Sequence, residues 1–371
     1  MKIVLVTTSL ECGGAERVTV NLANAWAARG WEVAIVTLTG SDTDFYVLDE
    51  RIERVALDQV ESAGNPVAGL VANLRRLASL RKLLRRLAPD AVIGMATTGA
   101  VLCIVASVGA IWPVVAVEQV HPPMLPLSRI WERLRCWTYP RATHLIALTG
   151  EGRAWMQKAF PGCRVDVIFN PVALPLPSVP PLLPTSAVMA ADRRLLLAVG
   201  RLEAQKGFDL LLTAFTALSS RHPQWDLVIL GEGPQRETLE LQQETLGLRG
   251  RAFLPGRAGN VADWYARADL YVMSSRFEGF PNTLVEAMAH GCPAVSYDCE
   301  TGPRDIVRDG IDGLLVQPIG DVNALAEALS RLMADDALRA RMASRVGEAA
   351  ERFSMQRNLT LWDELLRSVA R

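Results

Sequence analysis

Short apolar runs alternate with longer stretches of helical periodicity along the whole chain. In the first half the apolar runs fall at 2–6, 32–37, 91–95, 114–118, 144–148 and 165–169, with helical segments at 16–28, 67–87 and 128–137 between them. Strands alternating with helices predict a parallel sheet covered on both faces. The stretch 91–117 has no charged residue and is long enough to suggest a membrane span. Thr97-Thr98-Gly99 and Trp112-Pro113 divide it, and the pieces read as strand, helix (100–110) and strand of a buried β-α-β unit.

A proline-rich segment at 175–184 follows Asn170-Pro171 and reads as an exposed linker. The alternation then restarts, with strands predicted at 195–199, 226–230, 252–254, 270–273, 294–297 and 313–316 and helices at 208–219, 282–290 and 322–333. A last helix is predicted at 355–370. Its apolar positions Leu359, Trp362, Leu365, Leu366 and Val369 recur at helical spacing, so one side must be buried. The expected architecture is α/β: two Rossmann-like, doubly wound domains facing across a cleft, with ligands at the carboxyl ends of the strands. The expected spans are 1–175, 176–353 and a terminal helix at 354–371.

Length and charge narrow the function. At roughly 100–200 residues per domain, 371 residues make about two domains. Half the residues are hydrophobic and 21% charged, which excludes a disordered or coiled-coil chain. A net charge of −1 argues against a nucleic-acid binder. The six cysteines (Cys12, Cys103, Cys136, Cys163, Cys292, Cys299) form no C-x-x-C and no zinc spacing. The short apolar run at 3–6 is no secretion signal. Both features point to an intracellular protein with reduced thiols.

Three motifs carry candidate chemistry. Gly200-Arg201-Leu202-Glu203-Ala204-Gln205-Lys206-Gly207 follows a strand and opens a helix, where Arg201 and Lys206 suit a diphosphate. Two carboxylates frame Glu278-Gly279-Phe280-Pro281-Asn282-Thr283-Leu284-Val285-Glu286, with a helix start at Pro281-Asn282. There the N–H groups of Asn282, Thr283 and Leu284 suit a phosphate, Glu286 a ribose diol and Glu278 a sugar ring. Gly13-Gly14-Ala15-Glu16 follows the first strand and lets backbone approach a ligand closely. It is not G-x-G-x-x-G, which weakens a dinucleotide reading. His121 lies in a loop at a strand end, a better site candidate than His144, His222 or His290, which read as structural. Asp42-Thr43-Asp44 matches D-x-D but stands far from the other motifs, so no metal is expected.

In this order over two Rossmann-like halves, the motifs resemble those of family 4 retaining glycosyltransferases of the GT-B fold. The stretch Asp298-Cys299-Glu300-Thr301-Gly302-Pro303-Arg304-Asp305 resembles the bacterial subgroup that builds lipid-linked surface glycans from UDP-hexoses or UDP-N-acetylhexosamines. Asp305 stands where the family more often has Glu. The resemblance implies that Arg201, Lys206 and Gly14 meet the donor diphosphate, that Glu286 binds the ribose and that Glu278 contacts the donor sugar. It also implies that His121 sits at the reacting centre and that Gly13 and Glu16 lie on the acceptor side. The terminal helix is then expected to cross back onto the first domain. The leaving diphosphate would be stabilised by cations and aligned N–H dipoles without metal. No carboxylate stands out as a covalent nucleophile, so retention of configuration rests on the family. No cofactor is expected, because the nucleotide sugar is a substrate.

Charge points to the acceptor. Residues 65–141 hold ten basic and three acidic residues. Leu70, Leu74, Leu77, Leu80 and Leu84 share one face of the helix at 67–87, and Arg75, Lys82 and Arg86 the other. A basic amphipathic helix suits lipid headgroups or a lipid diphosphate, as do Trp131 and Trp137 nearby. The same pattern also fits a surface helix with its leucines in the core. The expected partners are a UDP-sugar, a lipid-linked (polyprenyl-diphosphate) saccharide and the inner leaflet of the membrane, which makes the protein cytoplasmic and peripheral. Three other readings remain: a transferase with a soluble acceptor, a nucleotide-sugar epimerase, and a catalytically idle nucleotide-sugar-binding partner.

Overall fold

The computed structural model describes residues 1–11, 13–57, 66–124 and 126–370, with side chains given for all of these but 66–72. Cys12 and the side chain of Leu70 lie outside the described residues. The chain divides into two compact units. One is Met1–Asn170 with Asn358–Arg371, and the other is Pro171–Arg357. The change of unit falls at Asn170–Pro171 rather than at 175.

The first unit is built on a seven-stranded parallel sheet. Its strands are β1 (Lys2–Thr7), β2 (Glu32–Thr37), β3 (Glu53–Ala56), β4 (Ala91–Met95), β5 (Val114–Val117), β6 (His144–Ala147) and β7 (Val165–Val167), in the order β3-β2-β1-β4-β5-β6-β7. The second unit has a six-stranded parallel sheet. It comprises β8 (Arg194–Val199), β9 (Trp225–Leu230), β10 (Ala252–Gly256), β11 (Leu270–Met273), β12 (Ala294–Tyr297) and β13 (Gly313–Val316), in the order β10-β9-β8-β11-β12-β13. The apolar runs are strands because both faces of each sheet are covered by helices. Strand β3 escapes the hydrophobic pattern, since this edge strand begins Glu53-Arg54 and is only partly buried.

The charge-free stretch is core except at the turn after its helix, where Val108 and Ile111 are exposed, and no helix among the described residues is long and apolar enough to cross a membrane. Its helix is Ala96–Ala106 rather than 100–110. Ala96 takes a positive φ of 58°, so the chain passes from strand to helix with no intervening loop. Gly99 lies in the first turn, where a Cβ would stand 2.7 Å from the Val6 carbonyl oxygen. Thr97-Thr98-Gly99 is therefore the start of the helix and not a break.

The proline-rich segment also departs from expectation. It is not a free linker but a strap on the second unit. Val179 N–H donates to Gly259 O at 3.2 Å, and Gly259 N–H to Pro181 O at 2.7 Å. Asn260 pairs with both backbone groups of Leu183 at 2.8 and 3.1 Å, and Trp264 Nε1 donates to Leu183 O at 2.9 Å. Extended proline backbone leaves carbonyls that need partners, and these side chains supply them.

The helix Pro66–Leu87 turns its leucines inward. Leu80, Leu83, Leu84 and Leu87 are buried in the first unit's core, with Leu77 packed against them. Leu74 is the exception to the predicted face and is 56% exposed. Arg75, Lys82 and Arg86 are exposed, Arg86 in an ion pair with Glu53 at 2.6 Å. Of the two readings of this pattern, the leucine side is therefore the one spent on the core, and the basic side is the one left exposed. Trp131 is likewise packed against the core, whereas Trp137 is 52% exposed beneath the Arg141 guanidinium.

The terminal helix Met355–Val369 belongs to the first unit from Asn358 onward. Buried Asn358 donates from its amide to Phe169 O. Trp362, 2% exposed, meets the buried Trp26 ring edge-on at 5.9 Å, and Asp363 pairs with Arg29 at 3.0 Å.

At the carboxyl end of β5, buried Glu118 accepts hydrogen bonds from Thr97 Oγ1, at 2.9 Å, and from the Tyr139 hydroxyl. Arg135, also buried, lies 3.9 Å away. Burial pushes the Glu118 carboxyl above its ordinary value, against the pull of its Tyr139 hydrogen bond and Arg135.

Two outcomes follow. Trp362→Ala should cost about 3–5 kcal/mol of stability, the usual range for emptying a buried aromatic site. A loss in urea unfolding well under 1 kcal/mol would show that the helix is not part of that core. For Glu118, the folded state holds a proton that the unfolded state has released once pH passes the ordinary value of about 4.3. Its contribution to stability therefore falls as pH rises from there through the raised folded value. Glu118→Gln should remove that decline from the pH dependence of the urea midpoint, and an unchanged slope would refute the assignment.

Candidate active site

The loops at the carboxyl edge of the second unit's sheet assemble the densest polar cluster of the candidate residues. β8 runs into the loop holding Arg201, whose last turn, Ala204–Lys206, ends at Gly207. Gly207 has φ 63° and opens the helix Phe208–Arg221. A Cβ there would stand 2.1 Å from Ser274 O, so only glycine lets this loop lie against the one after β11. The two loops are then stitched together. Ser274 Oγ donates to Lys206 O at 2.9 Å, Gln205 Nε2 to Phe277 O at 3.0 Å and Arg276 N–H to Gln205 O at 2.8 Å. The Arg276 guanidinium grips both Asp209 oxygens at 2.8 and 2.6 Å, and its hydrogen bonds hold that carboxyl below the usual range.

This stitching brings Lys206 to Glu278. Lys206 Nζ and Ser275 Oγ both donate to Glu278 Oε1, each at 2.6 Å, and the Glu278 side chain is 6% exposed. Thr301 Oγ1 fixes the Glu278 backbone by donating to its carbonyl at 2.5 Å. Beneath lies Cys299, whose thiol burial pushes up to about 12 and which donates to Ser275 O at 3.1 Å. It is a protonated structural thiol.

Helix Asn282–Ala289 starts four residues after Glu278 in sequence. Asn282 and Thr283 place their N–H groups in its first turn. Leu284 does not serve as expected: its N–H donates to Pro281 O at 3.1 Å and its side chain is fully buried. Thr283 Oγ1 accepts from the Tyr271 hydroxyl at 2.9 Å. Burial raises the Tyr271 phenol, with the Glu278 and Glu286 charges adding to the effect, so it stays a donor. Glu286 is 4% exposed and accepts from the Tyr265 hydroxyl at 3.2 Å. Arg201 stands apart from this cluster. Its side chain is 69% exposed and pairs at 3.4 Å with Glu203.

In the first unit, the carboxyl ends of the adjacent strands β1, β4 and β5 carry Gly13 and Gly14, the helix start at Ala96, and His121. Gly14 opens the helix Gly14–Ala28, and Gly13 O accepts from Arg17 N–H at 3.0 Å and from the Tyr46 hydroxyl at 2.9 Å. The Glu16 carboxylate folds back over Gly13, so that a Cβ there would stand 2.1 Å from it. This is the third helical position, from which a glutamate side chain can reach back to the start of its helix. His121 is 5% exposed and meets the Trp155 ring at 6.0 Å.

The D-x-D segment is otherwise engaged: Asp44 is held by Arg54 through two hydrogen bonds at 2.7 and 2.8 Å. His144 pairs with Asp166 at 2.9 Å, His222 with Ser330 at 2.8 Å and His290 with Glu286 O at 2.8 Å, in keeping with structural roles. Ser275, Thr301, Tyr265 and Tyr271 went unmarked as site residues. Ser274-Ser275 directly after an apolar strand was a usable signal, whereas nothing local marks Tyr265.

Residues 12–174 match the profile described as Glycosyltransferase Family 4, and residues 185–349 the one described as Glycosyl transferases group 1. An exopolysaccharide phosphotransferase of Streptomyces coelicolor is 31% identical over 98% of this chain, which spans only 40% of that protein's length. The GalNAc-alpha-(1->4)-GalNAc-alpha-(1->3)-diNAcBac-PP-undecaprenol alpha-1,4-N-acetyl-D-galactosaminyltransferase of Campylobacter jejuni is 27% identical, over 100% of this chain and 99% of its own. Among solved structures, Anabaena HepE in complex with UDP is 22% identical and superimposes with a TM-score of 0.81 over 99% of this chain and 100% of its own. Two parallel sheets of this topology, loops that gather Lys206 and Glu278, and the two profiles agree: the chain has the GT-B fold and belongs to glycosyltransferase family 4.

Proposed function

We propose that this protein is a retaining glycosyltransferase. It moves a hexose or N-acetylhexosamine from a UDP-sugar to a lipid-linked saccharide in bacterial glycan biosynthesis. The observation that carries the donor assignment is the 2.6 Å pair of Lys206 and Glu278, at the carboxyl edge of a parallel sheet and four residues before a helix start. The UDP held by HepE supports the choice of nucleotide, and the undecaprenol-linked acceptor in the name of the Campylobacter relative supports the choice of acceptor.

On this reading Lys206 exchanges its carboxylate partner for a phosphate oxygen of the donor. Glu278, still held by Ser275, then accepts from hydroxyls of the sugar. Arg201, exposed and lightly tied, adds a second cation, and the first-turn N–H groups of Asn282 and Thr283 add dipoles. Together they stabilise the charge that develops on the departing diphosphate, without a metal. Buried Glu286 accepts from the ribose hydroxyls. The acceptor hydroxyl adds to the face the diphosphate leaves, and its proton departs with the phosphate. In the first unit, His121 acts beside the transferred sugar, with Gly13 and Gly14 bordering the acceptor side. Arg75, Lys82 and Arg86, exposed on helix Pro66–Leu87, meet the anionic inner leaflet or the lipid diphosphate, through charge alone.

Lys206→Ala and Glu286→Ala should each lower kcat/KM by roughly 10²-fold or more, the scale of losing one preorganised electrostatic contact, with the protein still folded. UDP release from a panel of UDP-sugars measures it, and unchanged kinetics in either variant would overturn the donor site. Turnover should also persist in excess EDTA. Activity lost there and restored by Mg²⁺ or Mn²⁺ would contradict the metal-free reading.

A further inference from the structure

A run of contacts begins and ends on the segment after β5, and of its members the chemistry above uses only His121. His121 meets Trp155 edge to face, with ring planes at 74° and centroids 6.0 Å apart. The Arg135 guanidinium carbon lies 5.3 Å from the centroid of the same indole. Trp155 also packs edge-on against Phe160 at 6.0 Å, and Phe160 against Tyr139 at 5.2 Å. The Tyr139 hydroxyl donates to Glu118, three positions before His121, and Arg135 stands 3.9 Å from the same carboxylate. The circuit therefore returns to the segment it left.

Each link has a physical reason to be stiff. Arg135 has only 5% of its side chain exposed, and a cation desolvated over an indole binds more strongly than one in water. Edge-to-face aromatic contacts prefer this geometry over a loose stack. Glu118 is fixed by Thr97 as well as Tyr139. On the other side of His121, Pro122-Pro123 enters the short helix Pro122–Met124, which closes on the His121 carbonyl through Met124 N–H at 3.0 Å. The backbone on either side of His121 is thus anchored, and Trp155 is the aromatic group against its imidazole.

We infer that Trp155, seated by Arg135 and Phe160, is a positioning residue that sets the orientation of the His121 ring. This rests on the reading that His121 acts beside the transferred sugar. Trp155 itself touches no reacting group. Its effect is on geometry, where a shift of about 1 Å at a reacting centre can cost on the order of 10²-fold.

The test uses the full chain with Trp155→Ala, Trp155→Phe and His121→Ala. Trp155→Ala should lower kcat at least ~10-fold while the KM for the UDP-sugar stays within about twofold, because Lys206, Glu278 and Glu286 are untouched. Trp155→Phe keeps an aromatic edge and should recover most of the rate. The chain has four histidines, so the imidazole proton signals are few, and His121→Ala assigns the one that matters. Trp155→Ala should shift that signal and leave those of His222 and His290 in place. If Trp155→Ala fails to fold, Trp155→Leu, which keeps an apolar filler, carries the same test. His121→Ala with undiminished turnover would refute the role of His121 itself. An impaired His121→Ala beside a Trp155→Ala or Trp155→Leu of normal kcat, or with an unmoved His121 signal, would refute the positioning role alone.

Discussion

A lysine and a glutamate 72 positions apart meet at 2.6 Å, and the architecture of the second unit serves that meeting. Glu278 is buried, and an unpartnered buried carboxylate is costly, commonly about 3–5 kcal/mol when one member of such a pair is removed. Lys206 and Ser275 meet that need. The loops that carry these residues can approach only because Gly207 has no Cβ and accepts a left-handed backbone. The parallel order β8-β11-β12 puts the three loops side by side at one edge. The pair is internally satisfied, yet either member can take a different partner. A phosphate oxygen can replace the carboxylate at Lys206, and a sugar hydroxyl can replace the ammonium at Glu278. Such exchange needs little reorganisation, which is the condition for strong electrostatic catalysis.

The first unit meets a similar constraint differently. Glu118 is also buried at a strand end, but its partners are hydroxyls and a more distant guanidinium, and burial raises its affinity for a proton. It anchors a loop where Glu278 offers an exchangeable charge. The comparison separates two buried carboxylates that look alike in sequence, each standing shortly after an apolar strand. What distinguishes them is the charge and distance of the partner.

How much of this was legible in the residues follows from where each signal is local. Runs such as 91–95, 270–273, 294–297 and 313–316 are strands to the residue, because strands covered on both faces are uniformly apolar. Lys206, Glu278 and Glu286 stood out by motif. Other features depend on neighbours that no local pattern reveals. Nothing in Ala96 announces a positive φ, so the helix after β4 begins earlier than its breakers suggest. Leu74 shares the period of the other leucines yet lies beyond the core they enter. The proline-rich strap looks like a linker until Asn260 and Trp264 are found bonded to it. Leu284 N–H is lost to Pro281 O by the geometry of one turn, and Tyr265 reaches Glu286 from a separate helix.

The central claim is that the loops around Lys206 and Glu278 receive a nucleoside diphosphate. Amide hydrogen exchange, measured with and without saturating UDP, tests it without presupposing acceptor or sugar. The account predicts slower exchange in 200–207 and in 274–286, where first-turn and loop N–H groups would be engaged by phosphate. UDP binding that left both segments unchanged and protected amides elsewhere would contradict it.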